Sequence, residues 1–118
     1  MAISSIEQLA QAVRQFGRER DWQLYHSPKN LTAALIVEAA ELLEPFQWLT
    51  EEQSHNLPAE KREAVRQEIA DVLIYLISLA NTLDIDLLKA AEDKLAINAQ
   101  KYPVETAKGS CAKYNEAG

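Results

Sequence analysis

Four carboxylates interrupt two long apolar segments, and this feature constrains the fold of the chain more than any other. Glu38 and Glu41 lie within LIVEAAELL, and Glu68 and Asp71 lie within QEIADVLIYL. Each pair has i, i+3 spacing, so in a helix both members project from one face, about one turn apart. Because a buried ionised carboxylate is costly without compensation, and like charges repel, some cation must lie beside these residues.

The compensating cation could be a basic side chain or a metal ion. Arg62 and Arg66 belong to the second segment, but both lie in its polar half, and the glutamates of the first segment have no basic residue nearby. A ligand set of oxygens without histidine favours Mg²⁺ or Mn²⁺ over iron or zinc. The sequence therefore predicts that the four carboxylates hold divalent ions. Ion pairing is the alternative, and Glu44 is a weaker auxiliary ligand.

Composition and periodicity predict an all-α fold. The chain has 118 residues, which is the length of one domain, and it contains only 3 glycines and 4 prolines. Strong helix formers such as Ala, Leu and Glu are abundant. Apolar residues at helical spacing predict a four-helix bundle, with helices at about residues 4–21, 29–44, 58–82 and 84–102.

Local signals predict where these helices begin and end. Ser4 and Glu7 have the spacing of a capping box. Ser27-Pro28 is typical of a turn or a helix start, and Asn30 is the expected cap of the second helix. Pro45 and Pro103 should end the second and fourth helices. A polar loop is expected at 50–58. The domain should cover 1–103, followed by a flexible tail at 104–118.

The second and third predicted helices are apolar on several sides. A four-helix monomer of this size could not cover that much apolar surface, so we expect a homo-oligomer.

Charge and composition argue against two classes of partner. The net charge is −6 and no basic patch is visible, which disfavours nucleic-acid binding. No apolar run reaches the ~20 residues that span a bilayer. The N-terminal residues lack a basic region followed by a cleavage pattern, and the single cysteine, Cys111, cannot form an internal disulfide. We expect a cytoplasmic protein in which Cys111 has no special role.

Further motifs surround the carboxylates: RDWQLYHSPKNL, FQW, EIADVLIYL and the KxxxNxxKYP pattern that ends at Pro103. Together with the two acidic pairs they resemble the MazG-like all-α nucleotide pyrophosphohydrolases, in their dCTP pyrophosphatase branch. The resemblance covers about residues 5–114. It implies Mg²⁺ on the four carboxylates and hydrolysis of deoxynucleoside triphosphates to the monophosphate and pyrophosphate. It also implies preference for dCTP and its 5-substituted analogues, cleansing of the nucleotide pool, and a homotetramer built as a dimer of dimers.

Several other residues could bind the substrate. Tyr75 follows Asp71 by four residues and shares its helical face. Lys94 and Asn98 form a helical stripe with Tyr102, and Lys94 and Lys101 are candidates to bind phosphates. A solvated helix face is the alternative, and the resemblance favours function for Lys94 and Asn98.

Aromatic and basic residues beside the irregular segments complete the candidates. Trp22 and Trp48 could stack on a base or fill the core at helix ends. The resemblance favours stacking. His26 and Lys29, before the second helix, could contact phosphates or base. Where vertebrate members of the family have a histidine in the first helix, this chain has Val13, which leaves the base preference open.

Two other functions compete with this prediction. A helical interaction module without catalysis would not need the four carboxylates, and a di-metal oxidase of the bundle type would need histidine ligands that both helices lack. Within the family, dUTP or a damaged nucleotide could be the substrate.

Overall fold

A computed structural model of the chain describes residues 2–112, and all regular structure in this range is helical. The elements are α1 (Ile6–Glu19), a 3₁₀ turn (Trp22–Leu24), α2 (Pro28–Leu43), α3 (Glu51–Ser54), α4 (Ala59–Thr82), α5 (Leu87–Lys101) and α6 (Val104–Ala107). The all-α prediction is confirmed for the described residues. No helix among them is both long and apolar enough to cross a membrane.

The N-cap of the first helix lies one residue later in the sequence than the predicted N-cap, Ser4. Ser5 is the N-cap, and its side chain accepts a hydrogen bond from the backbone N–H of Gln8. The Gln8 side chain in turn accepts one from the backbone N–H of Ser4, at 2.7 Å. The box predicted from Ser4 and Glu7 is therefore wrong by one position, because either serine satisfies the same local pattern.

The second helix begins at Pro28, and its N-cap is Ser27 and not Asn30. The Ser27 side chain accepts a hydrogen bond from the Asn30 backbone N–H, and Pro28 occupies the first turn, where its missing N–H costs nothing. The Asn30 side chain instead donates to the carbonyl of Tyr25, at 2.9 Å. The helix ends at Leu43, two residues before Pro45, as predicted.

Short helices occur where loops were predicted. Within the predicted loop at 50–58, Thr50 and Gln53 form a complete capping box that starts α3. Four residues at 104–107 form α6 within the predicted tail. Residues 113–118, the rest of that tail, lie outside the described residues.

The described part of the chain divides into two compact units, the first ending at Ile85 and the second beginning at Asp86. In the first unit α4 packs against both α2 and α1. Leu31 and Ile77 are the most deeply buried side chains, each 1% exposed, and Val65 and Ala80 join them. Asn81 connects α4 to α1, since its side chain donates to the Ala10 carbonyl at 3.1 Å.

The second unit contains α5 and α6. Asp86 caps α5 by accepting a hydrogen bond from the Lys89 backbone N–H. Lys89 also forms an ion pair with Asp93 at 3.0 Å, four residues along the same face. The predicted domain boundary at residue 103 stays a prediction.

Candidate metal centre

Three carboxylates from two helices converge in the first unit. Glu38 and Glu41 of α2 and Glu68 of α4 each offer one oxygen atom, and the three atoms lie within 4.8 Å of one another. All three side chains are half-buried. Because α2 packs against α4, the i, i+3 spacing of the two α2 glutamates brings both carboxylates towards α4.

This crowding changes the acidity of the cluster. The pKa of Glu38 is raised from 4.5 to about 7, first by loss of hydration and then by its hydrogen bond with Glu68 and the charge of Glu41. Each of these effects favours the neutral carboxyl group. Near neutral pH, Glu38 is therefore partly protonated in the metal-free chain, which relieves repulsion among the three acids.

The cluster also leaves one hydrogen-bonding atom unsatisfied. Glu68 Oε2 is buried and has no hydrogen-bond partner within the described part of the chain. Such an atom is costly to bury, and most buried polar atoms do have a partner. A hard divalent cation binds carboxylate oxygens, so an orphaned oxygen within a group of three acids fits a metal site.

Asp71 does not join this group of oxygens. It lies on α4 three residues after Glu68, and its side chain is exposed. Its role as a fourth ligand stays a prediction.

A cavity of about 670 Å³ borders the cluster. One of its lining residues is basic and was not predicted from the sequence. Its lining includes Glu41, Glu44 and Glu68, together with Lys61 from the first turn of α4. Lys61 precedes Glu68 by seven residues, which places both on one helical face two turns apart, and this spacing could have revealed it. Glu44, predicted as an auxiliary ligand, lies in the same cavity wall.

The two tryptophans have different surroundings. Trp22 packs edge-on against Phe16, with ring centroids 5.5 Å apart, and lies 5.6 Å from the His26 ring. Trp48 follows α2 and is 87% exposed, so it does not fill the core of the chain. His26 lines a second cavity and not the one beside the carboxylates.

The remaining predicted substrate residues lie on three helices. Tyr75 is half-buried on α4, one turn after Asp71, and Lys29 is exposed in the first turn of α2. The other four belong to the second unit, where Tyr102 caps α5 by donating its backbone N–H to the Asn98 carbonyl at 2.8 Å. These four are Lys94, Asn98, Lys101 and Tyr102.

The chain is similar to proteins of known activity. The sequence model of the MazG-like family matches residues 34–116. dCTP pyrophosphatase 1 from Mus musculus is 40% identical over 114 residues, which cover 95% of this chain and 67% of the relative. The Homo sapiens protein of the same name is 39% identical with the same coverage. A crystal structure of a pyrophosphatase from Archaeoglobus fulgidus superposes with a TM-score of 0.79 at 38% identity, covering 87% of this chain and 96% of that one.

Proposed function

The chain belongs to the MazG-like family, and from this premise we propose that it hydrolyses deoxynucleoside triphosphates to the monophosphate and pyrophosphate. It is a nucleoside triphosphate pyrophosphohydrolase, as its likeness to the dCTP pyrophosphatases and to a pyrophosphatase structure supports. The preferred substrates in this proposal are dCTP and its 5-substituted analogues, and the role is cleansing of the nucleotide pool in the cytoplasm.

The observation that carries the proposal is the convergence of Glu38, Glu41 and Glu68 to within 4.8 Å. A triphosphate is strongly anionic, and three acids would repel it. The same acids become useful once they hold cations, and Mg²⁺ commonly binds through carboxylates together with substrate phosphates. We therefore assign Mg²⁺ as the cofactor, with Mn²⁺ as an alternative.

The residues of the chain hold and orient the reacting groups. Glu38, Glu41 and Glu68 would hold the ion, with Asp71 as the fourth ligand. When bound, Mg²⁺ supplies positive charge that offsets the charge of the polyphosphate. Hydrolysis breaks the bridge between the α and β phosphorus atoms and adds one water across it, so positioning and electrostatics suffice without a covalent intermediate.

Residues on other elements would bind the nucleotide. We assign base stacking to Trp22 and Trp48, since an aromatic ring as exposed as that of Trp48 is available to a flat ligand. Tyr75, one turn from Asp71, would contact the sugar or phosphates. His26 and Lys29 are assigned to the phosphates or the base.

The second unit carries four further residues of the proposal. We assign phosphate binding to Lys94 and Lys101, a hydrogen bond to a base or sugar to Asn98, and a substrate contact to Tyr102.

We further propose that the protein assembles as a homotetramer, a dimer of dimers. Large apolar side chains are exposed on α2 and α4 of the first unit: Ile36 and Val37 on α2 are 68% and 54% exposed, and Ile69 on α4 is 54% exposed. Burying such side chains in an interface is favourable by about 25 cal/mol per Å² of apolar surface.

A nucleotide panel tests the proposed reaction. Each deoxynucleoside triphosphate is incubated with the full chain in Mg²⁺ or in EDTA, and monophosphate and pyrophosphate are assayed separately. We expect equimolar monophosphate and pyrophosphate, fastest from dCTP, and no products in EDTA. Release of inorganic phosphate in place of pyrophosphate would contradict the reaction, and faster turnover of another nucleotide would contradict the base preference alone.

A further inference from the structure

Lys61 lines the cavity of about 670 Å³ beside the carboxylate cluster, and it is the one basic residue among the described residues of that cavity wall. We propose that its ammonium group binds the β and γ phosphates of the substrate, which leave together as pyrophosphate, a role that rests on the proposed hydrolysis. Lys61 would then distinguish the two products, since it contacts pyrophosphate and not the monophosphate.

The position of Lys61 in α4 is unfavourable for the helix itself. Lys61 lies in the first turn, where a positive charge opposes the helix dipole. It is also half-buried, whereas its neighbours Glu60 and Arg62 are exposed. Neither helix stability nor full hydration therefore accounts for this ammonium group, and a bound anion would offset both disadvantages.

The charge of Lys61 is not neutralised within the described part of the chain. Lys61 forms no ion pair with any other of residues 2–112, although Glu44 and Glu60 line the same cavity. Two further acids of the cavity wall, Glu41 and Glu68, are assigned to the metal ion. Once these two hold a cation, Lys61 adds a further positive charge beside it. An ammonium group carries three N–H donors and binds phosphate as a point charge.

Lys61 lies on the opposite side of the cluster from the proposed nucleoside contacts. It precedes Glu68 on α4 by seven residues, and Tyr75 follows Glu68 by seven, so each is about 10 Å from Glu68 along one helical face. His26 lines a cavity with Ser78, still further towards the C-terminal end of α4. A nucleotide with its base at that end and its α phosphate at the cluster directs its β and γ phosphates towards Lys61.

The reaction develops negative charge on the part of the substrate that Lys61 would contact. The water oxygen bonds to the α phosphorus and releases one proton to the solvent, and the bond from the α phosphorus to the bridging oxygen breaks. That oxygen keeps the bonding electron pair and leaves as part of pyrophosphate. A positive group held beside the β and γ phosphates stabilises this charge. Lys61 therefore acts on the leaving group and on the bound product.

Calorimetric titration of each product into the full chain in Mg²⁺ tests the proposal independently of turnover. We expect Lys61→Gln to bind pyrophosphate about tenfold more weakly than wild type, or weaker still, and to bind dCMP as wild type does. Lys61→Arg keeps the positive charge and should retain pyrophosphate binding. Arg62→Gln is the matched control, because it removes the adjacent, exposed charge from outside the cavity wall, and it should bind both products as wild type does.

The variants separate a pyrophosphate contact from a general effect of charge. Wild-type affinity of Lys61→Gln for pyrophosphate would overturn the proposal, and so would equal weakening of pyrophosphate and dCMP. Weakening by Arg62→Gln as large as that by Lys61→Gln would also overturn it. Glutamine is a helix former comparable to lysine, so the melting temperature of Lys61→Gln should stay close to that of wild type.

Failure of this contact and failure of the proposed reaction give different results. If wild-type protein hydrolyses dCTP in the nucleotide panel but binds no pyrophosphate in Mg²⁺, the role of Lys61 is overturned and the reaction stands. If wild-type protein binds pyrophosphate through Lys61 but hydrolyses no triphosphate, the reaction is refuted and the pyrophosphate contact stands.

Discussion

Glu38 is the residue at which the electrostatics of the cluster can be measured directly. Its pKa in the folded, metal-free chain is about 7, against 4.5 ordinarily, so the folded state binds a proton that the unfolded state has lost. The corresponding stability is fully present below pH 4.5 and is lost as pH rises through about 7.

We therefore expect the melting temperature in EDTA to fall between these two pH values. Glu38→Gln, which stays neutral and keeps a similar shape, should remove most of this dependence. The measurement is a series of thermal melts of both proteins in EDTA across the interval. Parallel curves for the two proteins would show that Glu38 does not carry the shifted proton.

Trp48 tests the assignment of base stacking. Because the side chain is 87% exposed, its removal should leave the melting temperature unchanged. Loss of one stacking contact, about 1–3 kcal/mol, should raise KM for dCTP by about fivefold to a hundredfold with a smaller effect on kcat. Steady-state kinetics of Trp48→Ala are compared with those of Trp48→Phe, which keeps an aromatic ring. An unchanged KM in the alanine variant would contradict stacking.

Among the elements, the long helices were predictable from sequence and the short ones were not. The second and third predicted helices correspond to Pro28–Leu43 and Ala59–Thr82, within a residue or so at each end, because apolar periodicity and flanking prolines mark them. Helices α3 and α6 have four residues each, which is too few to show a period. Thr50 and Gln53 do have the spacing of a capping box, but no apolar period follows them to show that a helix begins there.

The candidate metal centre was predictable from the sequence, whereas the contact between α1 and α4 was not. Acids at i, i+3 spacing in apolar helices predicted Glu38, Glu41 and Glu68 as neighbours, and the structure brings their oxygens together. The contact of Arg14 with Asn81 joins residues 67 positions apart. No local pattern reports such a contact, because it depends on how α1 packs against α4.

The cap of α1 gives a prediction at the scale of one element. Ser5→Ala removes the side-chain acceptor for the Gln8 backbone N–H and should cost about 0.5–2 kcal/mol of stability. Ser4→Ala keeps the backbone hydrogen bond from residue 4 to the Gln8 side chain and should cost less. Chemical denaturation of both variants measures the difference. A larger loss of stability in Ser4→Ala than in Ser5→Ala would contradict this assignment and would support Ser4 as the N-cap.

For the whole molecule, the main finding is how few side chains are buried within the described chain. Four apolar residues are buried in the described chain, while many large ones, Ile36 at 68% among them, are exposed. Assembly would cover these side chains, which is why we propose a tetramer.

We expect light scattering on the eluting protein to give about four times the chain mass of 13.2 kDa. Ile36→Glu places a charge on the exposed apolar surface of α2 and should yield a smaller, still helical species. Gln11→Glu adds the same charge on α1 without removing apolar surface, and should elute as wild type. A monomeric wild-type protein would refute the proposed assembly.

The central claim is that the carboxylate cluster is the metal-dependent catalytic centre, and dCTP hydrolysis by Glu41→Gln in Mg²⁺ tests it most directly. The variant keeps the size of the side chain but loses its charge. Removing a single group that stabilises developing charge typically costs about 10²–10³ in kcat, so turnover should fall at least a hundredfold with the helical circular dichroism unchanged. Asp71→Asn should behave alike. Glu63→Gln is the matched control, since Glu63 lies about 140° around α4 from Glu68. Near-normal turnover by a folded Glu41→Gln variant would contradict the account.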